Sequence, residues 1–229
     1  MKQLLLISFF AFIAPIALRA QYDMRFGFEA SPFLSWLSSD WKPTKSDGGN
    51  LGFQIVMNGE YYFRENYALK AGLGISFRNG GKLLFTDGGV LFPKSELTQE
   101  SFRVINPNTS VRYKLQYVEL PVSFRMRTQE MGYIRYFAEL PIFTIGICTQ
   151  ARGDLGVTDG NNENIAKDTR LFNLSWGLGG GVEYAISSST SLTGGIFYQQ
   201  GFSDVLSDTE ANPGKSEIRK LALRIGVMF

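Results

Sequence analysis

The fold class predicted for this chain is all-β and antiparallel, on three observations: a period-two ending, repetition of that pattern along the chain, and alternating link lengths. From Lys220 to Phe229 one face carries Leu221, Leu223, Ile225, Val227 and Phe229. The other carries Lys220, Ala222, Arg224, Gly226 and Met228, a spacing that fits a strand buried on one face and no helix. By the same alternation and turn punctuation, about eight strands are predicted.

The first runs near Tyr22 to Phe33, with Met24, Phe26, Phe28 and Ala30 opposite Arg25, Gly27, Glu29 and Ser31. The second runs from Leu51 to Phe63 and sets Phe53, Ile55, Met57, Tyr61 and Phe63 against Gln54, Asn58 and Glu60. A tight turn at Arg64-Glu65-Asn66 joins it to the third, where Leu69, Ala71, Leu73, Ile75 and Phe77 oppose Lys70, Gly72, Gly74 and Ser76. The fourth, Val111 to Arg127, changes phase near Tyr117, after which Val118, Leu120, Val122, Phe124 and Met126 oppose Glu119, Pro121, Ser123 and Arg125; a bulge is expected there. The fifth follows Met131-Gly132, with Ile134, Tyr136, Ala138, Leu140 and Ile142 opposite Arg135, Phe137, Glu139 and Pro141, and blurs towards Cys148. The sixth alternates Phe172, Leu174, Trp176, Leu178, Val182 and Tyr184 with Asn173, Ser175, several glycines and Glu183. The seventh carries Leu192, Gly194, Ile196 and Tyr198, and the eighth is the terminal stretch.

Links after strands two, four and six are short; those after one, three, five and seven are long and rich in Gly, Asn, Asp and Ser. In an up-and-down barrel this puts all short turns at one end, as in outer-membrane barrels with short periplasmic turns and long outer loops. A secreted lipocalin-like barrel would show the same alternation with the apolar face inward. Two further features favour lipid outside: glycines and single charges share the polar face, and aromatics gather near the short turns (Tyr61, Phe63, Tyr67, Phe124, Tyr133, Tyr184, Phe229), as in an interfacial girdle. The prediction is an eight-stranded antiparallel up-and-down transmembrane β-barrel in the bacterial outer membrane.

The other end supports that location. Met1-Lys2, an apolar Leu4 to Leu18 and Leu18-Arg19-Ala20 read as a secretory signal over residues 1–20, leaving 21–229 as the barrel domain. A retained anchor is the alternative, but the apolar run of roughly 15 residues falls short of the ~20 a spanning helix needs. Of 229 residues none is histidine and one, Cys148, is cysteine, so histidine-based metal clusters, serine triads and a disulfide framework cannot be assembled. The expectation is a non-enzymatic protein with no cofactor and no nucleic-acid partner.

The stretch Tyr117-Val118-Glu119-Leu120-Pro121, followed by an apolar-basic strand and Gly132-Tyr133, resembles the PorT-like outer-membrane barrels of Bacteroidota-type bacteria. The ending Leu223 to Phe229 also looks like the terminal signal read by the barrel-insertion machinery, in which the last aromatic matters. The resemblance implies an integral outer-membrane location with outer-membrane lipid around the barrel. For some members it implies a part in type IX protein export, with export components as partners. The motif carries no catalytic residues.

With the polar face inward, the lumen would hold Arg25, Lys70, Arg125, Arg135, Lys220 and Arg224 together with Glu29, Glu60, Glu119, Glu139 and Glu183. An eight-stranded barrel is just wide enough for side chains, and buried charges are costly unless paired. A salt-bridge network filling the barrel is expected; the alternative is a narrow porin-like solute channel lined by the same charges. Glu119-Leu120-Pro121 and Glu139-Leu140-Pro141 repeat one triplet, and counting from the turn between them puts both glutamates at similar height. They read as a pair bridged by Arg125 or Arg135, or else as a proton-linked gate. Each proline is expected at a bulge.

In the longest loop, Lys82 to Phe85 and Val90 to Phe92 flank Asp87-Gly88-Gly89 and read as an extra hairpin, its apolar residues meeting a partner or packing on neighbouring loops. Asp154 and the run Asp159 to Asn164 are oxygen-rich without the EF-hand spacing, and read as an ordinary solvated loop.

Overall fold

Strong period-two alternation over lengths of 11 to 21 residues leaves these segments one way to satisfy their backbone: pairing edge to edge. The computed structural model describes residues 24–156 and 160–229. The signal reading of residues 1–20 and the start of the first strand at Tyr22 lie outside the described residues, as does Asp159.

Eight long strands form a closed ring: β1 Met24–Ser39, β2 Thr44–Arg64, β3 Tyr67–Phe85, β4 Thr109–Arg127, β5 Ile134–Asp154, β6 Phe172–Ala185, β7 Ser191–Gly201 and β8 Ser216–Met228. Each pairs antiparallel with its sequence neighbours. The ring closes where β8 meets β1, with Val227 opposite Phe28 and Lys220 opposite Ser35. Phe229 extends that seam, since its N–H donates to the Phe26 carbonyl at 2.7 Å and the Phe26 N–H donates back at 3.3 Å. Closure leaves no unpaired edge, which a strand in lipid cannot tolerate.

The apolar faces point outward. Phe26, Phe28, Leu51, Ile55, Leu73, Ile145, Ile196 and Leu223 are exposed, while Glu29, Gln54, Glu60, Lys70 and Arg125 are buried inside. That inversion of a soluble barrel removes the lipocalin-like alternative. At the short-turn end the rings of Phe63, Tyr67 and Phe124 pack together with centroids 5.8–6.5 Å apart, and those of Tyr133 and Tyr184 lie 6.2 Å apart.

Four expectations about local structure are corrected. The link between β1 and β2 is short, residues 40–43, because both strands run on beyond Phe33 and before Leu51. Their outer ends pass into water, where the outward face no longer needs apolar residues, so the alternation that marks a lipid-facing strand fades. For the same reason Lys82–Phe85 is the end of β3, paired with β2 and β4, and forms no extra hairpin. What the loop does contain is a two-residue ladder, Gly89–Val90 against Val104–Ile105.

β4 keeps its phase throughout: Val111, Tyr113, Leu115 and Tyr117 face inward, and so do Glu119, Ser123 and Arg125. The change near Tyr117 is chemical. Outside, the chain passes from lipid to water; inside, it passes from a charged layer to an apolar one. The register shifts at this level fall on the neighbours, near Phe77–Arg78 in β3 and Thr149 in β5. The prolines divide as well. Pro141 sits in a bulge that turns Ile142 inward, whereas Pro121 stays in register opposite Thr144.

The apolar inner wall of the outer half is covered by the loops. Leu91, Phe92 and Ile105 from the β3–β4 loop, Leu155 and Ile165 from β5–β6, and Val205 and Leu206 from β7–β8 pack on Leu37, Leu83, Phe85, Leu115 and Tyr117. The apolar residues of the longest loop therefore pack on neighbouring loops and the barrel wall. Buried Asp168 and Glu163 tie the loops together, accepting the backbone N–H of Ser95 at 2.8 Å and of Thr98 at 2.9 Å.

Candidate functional site: the charged lumen

Below this apolar plug the inward residues of all eight strands converge in stacked layers. Strand alternation sends each alternate side chain to the axis, and glycines on facing strands make room for large ones. Phe33 lies over Gly52 and Phe197 over Gly179, positions where a methyl group would strike the ring.

The central layer is built on Arg125, which is fully buried. Its guanidinium donates to Glu60 at 2.8 Å, Glu139 at 3.1 Å and Glu183 at 3.0 Å, and stacks 3.8 Å above the centre of the Phe137 ring. One step outward, Lys70 bridges Glu29 at 2.6 Å and Glu139 at 2.8 Å. Arg224 joins the same two carboxylates at 3.4 and 2.9 Å and lies 3.7 Å over Phe197. Further outward, Glu119 accepts from Gln54 at 2.5 Å, Ser76 at 2.6 Å and Lys220 at 3.4 Å, and Lys220 lies 4.9 Å over Phe33.

At the periplasmic end Arg25 donates to Glu183 at 2.6 Å and also to Ser191. Arg135 sits at the mouth, partly exposed, 2.5 Å from Glu130 and 3.8 Å from Glu183. The mouth is a cavity of about 560 Å³ that includes Arg25, Arg127, Arg135, Tyr133 and Phe229 in its lining. Deeper in, the space among Glu29, Lys70, Glu139 and Arg224 shrinks to about 10 Å³, room for one water at most.

The structure thus brings ten of the lumen residues named from sequence into one connected interior and leaves Arg135 at its rim. It separates the two glutamates expected at equal height: Glu139 lies opposite Arg125, Glu119 opposite Gly146. The hairpin closes with Arg127 opposite Phe137, so the link at residues 128–133 lies asymmetrically about the two triplets: Glu139 is two residues from that closing pair and Glu119 eight. Glu119 therefore answers to Lys220 and Glu139 to Arg125, Lys70 and Arg224; the carboxylate pair on which a gate would rest is not formed.

Sequence reasoning missed the aromatic half of this interior. Phe33, Phe137 and Phe197 face inward among the charges. Their signal was a phenylalanine on the polar side of the alternation, opposite a glycine-rich neighbour. Gln54, Ser76 and Tyr62, which donates to Glu60 at 2.8 Å, were also unassigned.

Residues 13–207 match the model of the outer membrane protein beta-barrel domain family. The chain belongs to that family. It is a bacterial outer-membrane β-barrel protein, and the ring of eight strands described above is its membrane domain. No curated protein matches it. Among solved structures, Neisserial surface protein A (NspA) is 16% identical, with a TM-score of 0.50 over 90% of this chain and 95% of that one. Ail, the attachment invasion locus protein of Yersinia pestis, is 14% identical, with a TM-score of 0.43 over 90% and 99%. At such identity the likeness to NspA concerns the fold alone.

Proposed function

We propose that this outer-membrane barrel is closed and non-enzymatic, and serves as a structural or partner-binding protein. The observation that carries this reading is the filled interior: a charge layer centred on Arg125, fully buried, beneath a loop plug in which Leu155 and Ile165 are fully buried against Leu83 and Leu115 of the wall. Among the described residues each inward glutamate, Glu29, Glu60, Glu119, Glu139 and Glu183, is paired with a cation and so is poorly placed to act as a base. Its surroundings are outer-membrane lipid, the barrel-insertion machinery during assembly and, following the PorT-like stretch at Tyr117 to Pro121, components of type IX protein export, to which it is an accessory. Nucleic acid is not a partner.

Mild crosslinking in native membranes followed by co-purification tests the partner assignment. Export components should be recovered with the barrel, and their absence would remove the export role. Turnover of phospholipid or peptide substrates by the purified protein would contradict the non-enzymatic reading.

Phe229 supplies a second test, because its backbone exchanges both hydrogen bonds with Phe26 at the closing seam and its side chain is exposed. Deleting it should lower the amount of barrel inserted in the outer membrane severalfold while the fraction that does insert melts nearly as the parent does. Unchanged outer-membrane levels would contradict the role given to this residue.

A further inference from the structure

The outward wall of the barrel is not uniform above the lipid belt. On the outer ends of β2 to β5 the outward positions carry Lys45, Arg78, Lys82, Arg112, Lys114 and Arg152, against two acids, Asp47 and Asp154. Register makes the cations neighbours: Lys82 lies opposite Arg112, and Lys114 opposite Arg152. Asp154 is taken by Lys114 at 2.6 Å, and Asp47 accepts from Ser110 at 2.5 Å. Among the described residues no ion pair is formed by Arg78, Lys82, Arg112 or Arg152, although Asp154, bound to Lys114, stands opposite Arg112, and the Nε of Arg112 is buried without a hydrogen-bond partner. The opposite wall differs: Trp36, Ser38, Tyr198 and Gln200 stand there, Lys215 is paired with Glu217 at 2.6 Å, and Arg219 is isolated.

Height decides what such a patch meets. On β4 the outermost apolar outward residue is Val118; Lys114 lies four residues and Arg112 six residues nearer the outer end, ~13 and ~20 Å along a strand rising ~3.3 Å per residue. Strand tilt shortens this in height, and long basic side chains bend back towards the interface. The cations therefore stand in the headgroup layer of the outer leaflet, where guanidinium and ammonium groups match phosphate oxygens.

We propose that the outward face of β2–β5 is a binding site for the phosphorylated headgroup of an outer-leaflet glycolipid, with Lys82, Arg112 and Arg152 as its main contacts. The mature protein in phosphatidylcholine nanodiscs would be given diphosphorylated lipid A, the same lipid A stripped of phosphate, or phosphatidylglycerol, and the lipid retained per barrel read by native mass spectrometry. Diphosphorylated lipid A should be retained, less so as salt rises, and the other two should not. The combined Lys82→Gln, Arg112→Gln, Arg152→Gln variant should lose roughly 100-fold in affinity, on the scale at which each basic side chain contributes at an anionic surface, and Arg219→Gln should lose little. Equal retention of dephosphorylated lipid A or of phosphatidylglycerol overturns the proposal, as does full retention by a folded triple variant. Were that variant not to fold, salt-independent binding by the parent protein would overturn it equally.

Discussion

Replacing Arg125 by methionine should destabilise the barrel more than any other single substitution in the lumen. The change keeps most of the side-chain volume but leaves Glu60, Glu139 and Glu183 around the lost charge. Glu139 retains Lys70 and Arg224, and Glu183 retains Arg25, but among the described residues Glu60 keeps one hydrogen-bond partner, the Tyr62 hydroxyl at 2.8 Å, with Arg25 opposite it on β1. Removing one partner of a buried ion pair costs about 3–5 kcal/mol, since the remaining charge stays desolvated. Urea unfolding in lipid vesicles, followed by the gel shift between folded and unfolded barrel, would measure this. Arg135→Met, at the rim, should cost under ~1 kcal/mol by the same assay, because a partly solvated pair contributes little. Equal losses for the two would mean that the buried layer is not the stabilising centre described above.

The second large effect is steric. A methyl group at Gly181 would fall on the carbonyl oxygen of Gly194 and 2.5 Å from the Cα of Gly195, both backbone atoms of β7 that no side-chain rotation can move. Gly181→Ala should therefore prise β6 from β7 and cost at least the ~1–3 kcal/mol of overpacking, seen as a lower folded fraction after refolding into vesicles. Gly194, next along β7 to the Gly195 that lies opposite Gly181, makes the control. A methyl group at Gly194 meets nothing within 4 Å, so Gly194→Ala should fold as well as the parent. If both variants refold equally, the close approach of β6 and β7 at this level is wrong.

The two cases also mark what could be read from sequence and what could not. The apolar stripes of β1 to β8 were legible because lipid demands a continuous outward apolar face, and the last ten residues stated it most clearly. Strand ends were not, because beyond the membrane both faces meet water or loops and the two-residue period loses its chemical contrast. Lys82 to Phe85 therefore read as a separate hairpin although it continues β3. On β4 the reversal of contrast at Tyr117 imitated a bulge for the same reason. Inward charges could be named one strand at a time, since a lone Glu or Arg on the glycine-rich face of a lipid-facing strand can only point into the lumen. Their partners depend on shear between strands and on bulges, which local sequence does not encode. The misplaced pairing of Glu119 with Glu139 shows this: the hairpin closes with Arg127 opposite Phe137, nearer to Glu139 than to Glu119, and that register decides which groups meet.

The central claim is that charge below and loops above close this barrel. Planar-bilayer recording of the purified protein tests it most directly. The structure predicts a bilayer that stays electrically silent at either polarity, because the void among Glu29, Lys70, Glu139 and Arg224 is about 10 Å³ and Phe92, Leu115 and Tyr117 are buried above it. Steady, reproducible single-channel steps would contradict it and restore the narrow solute channel as the better account.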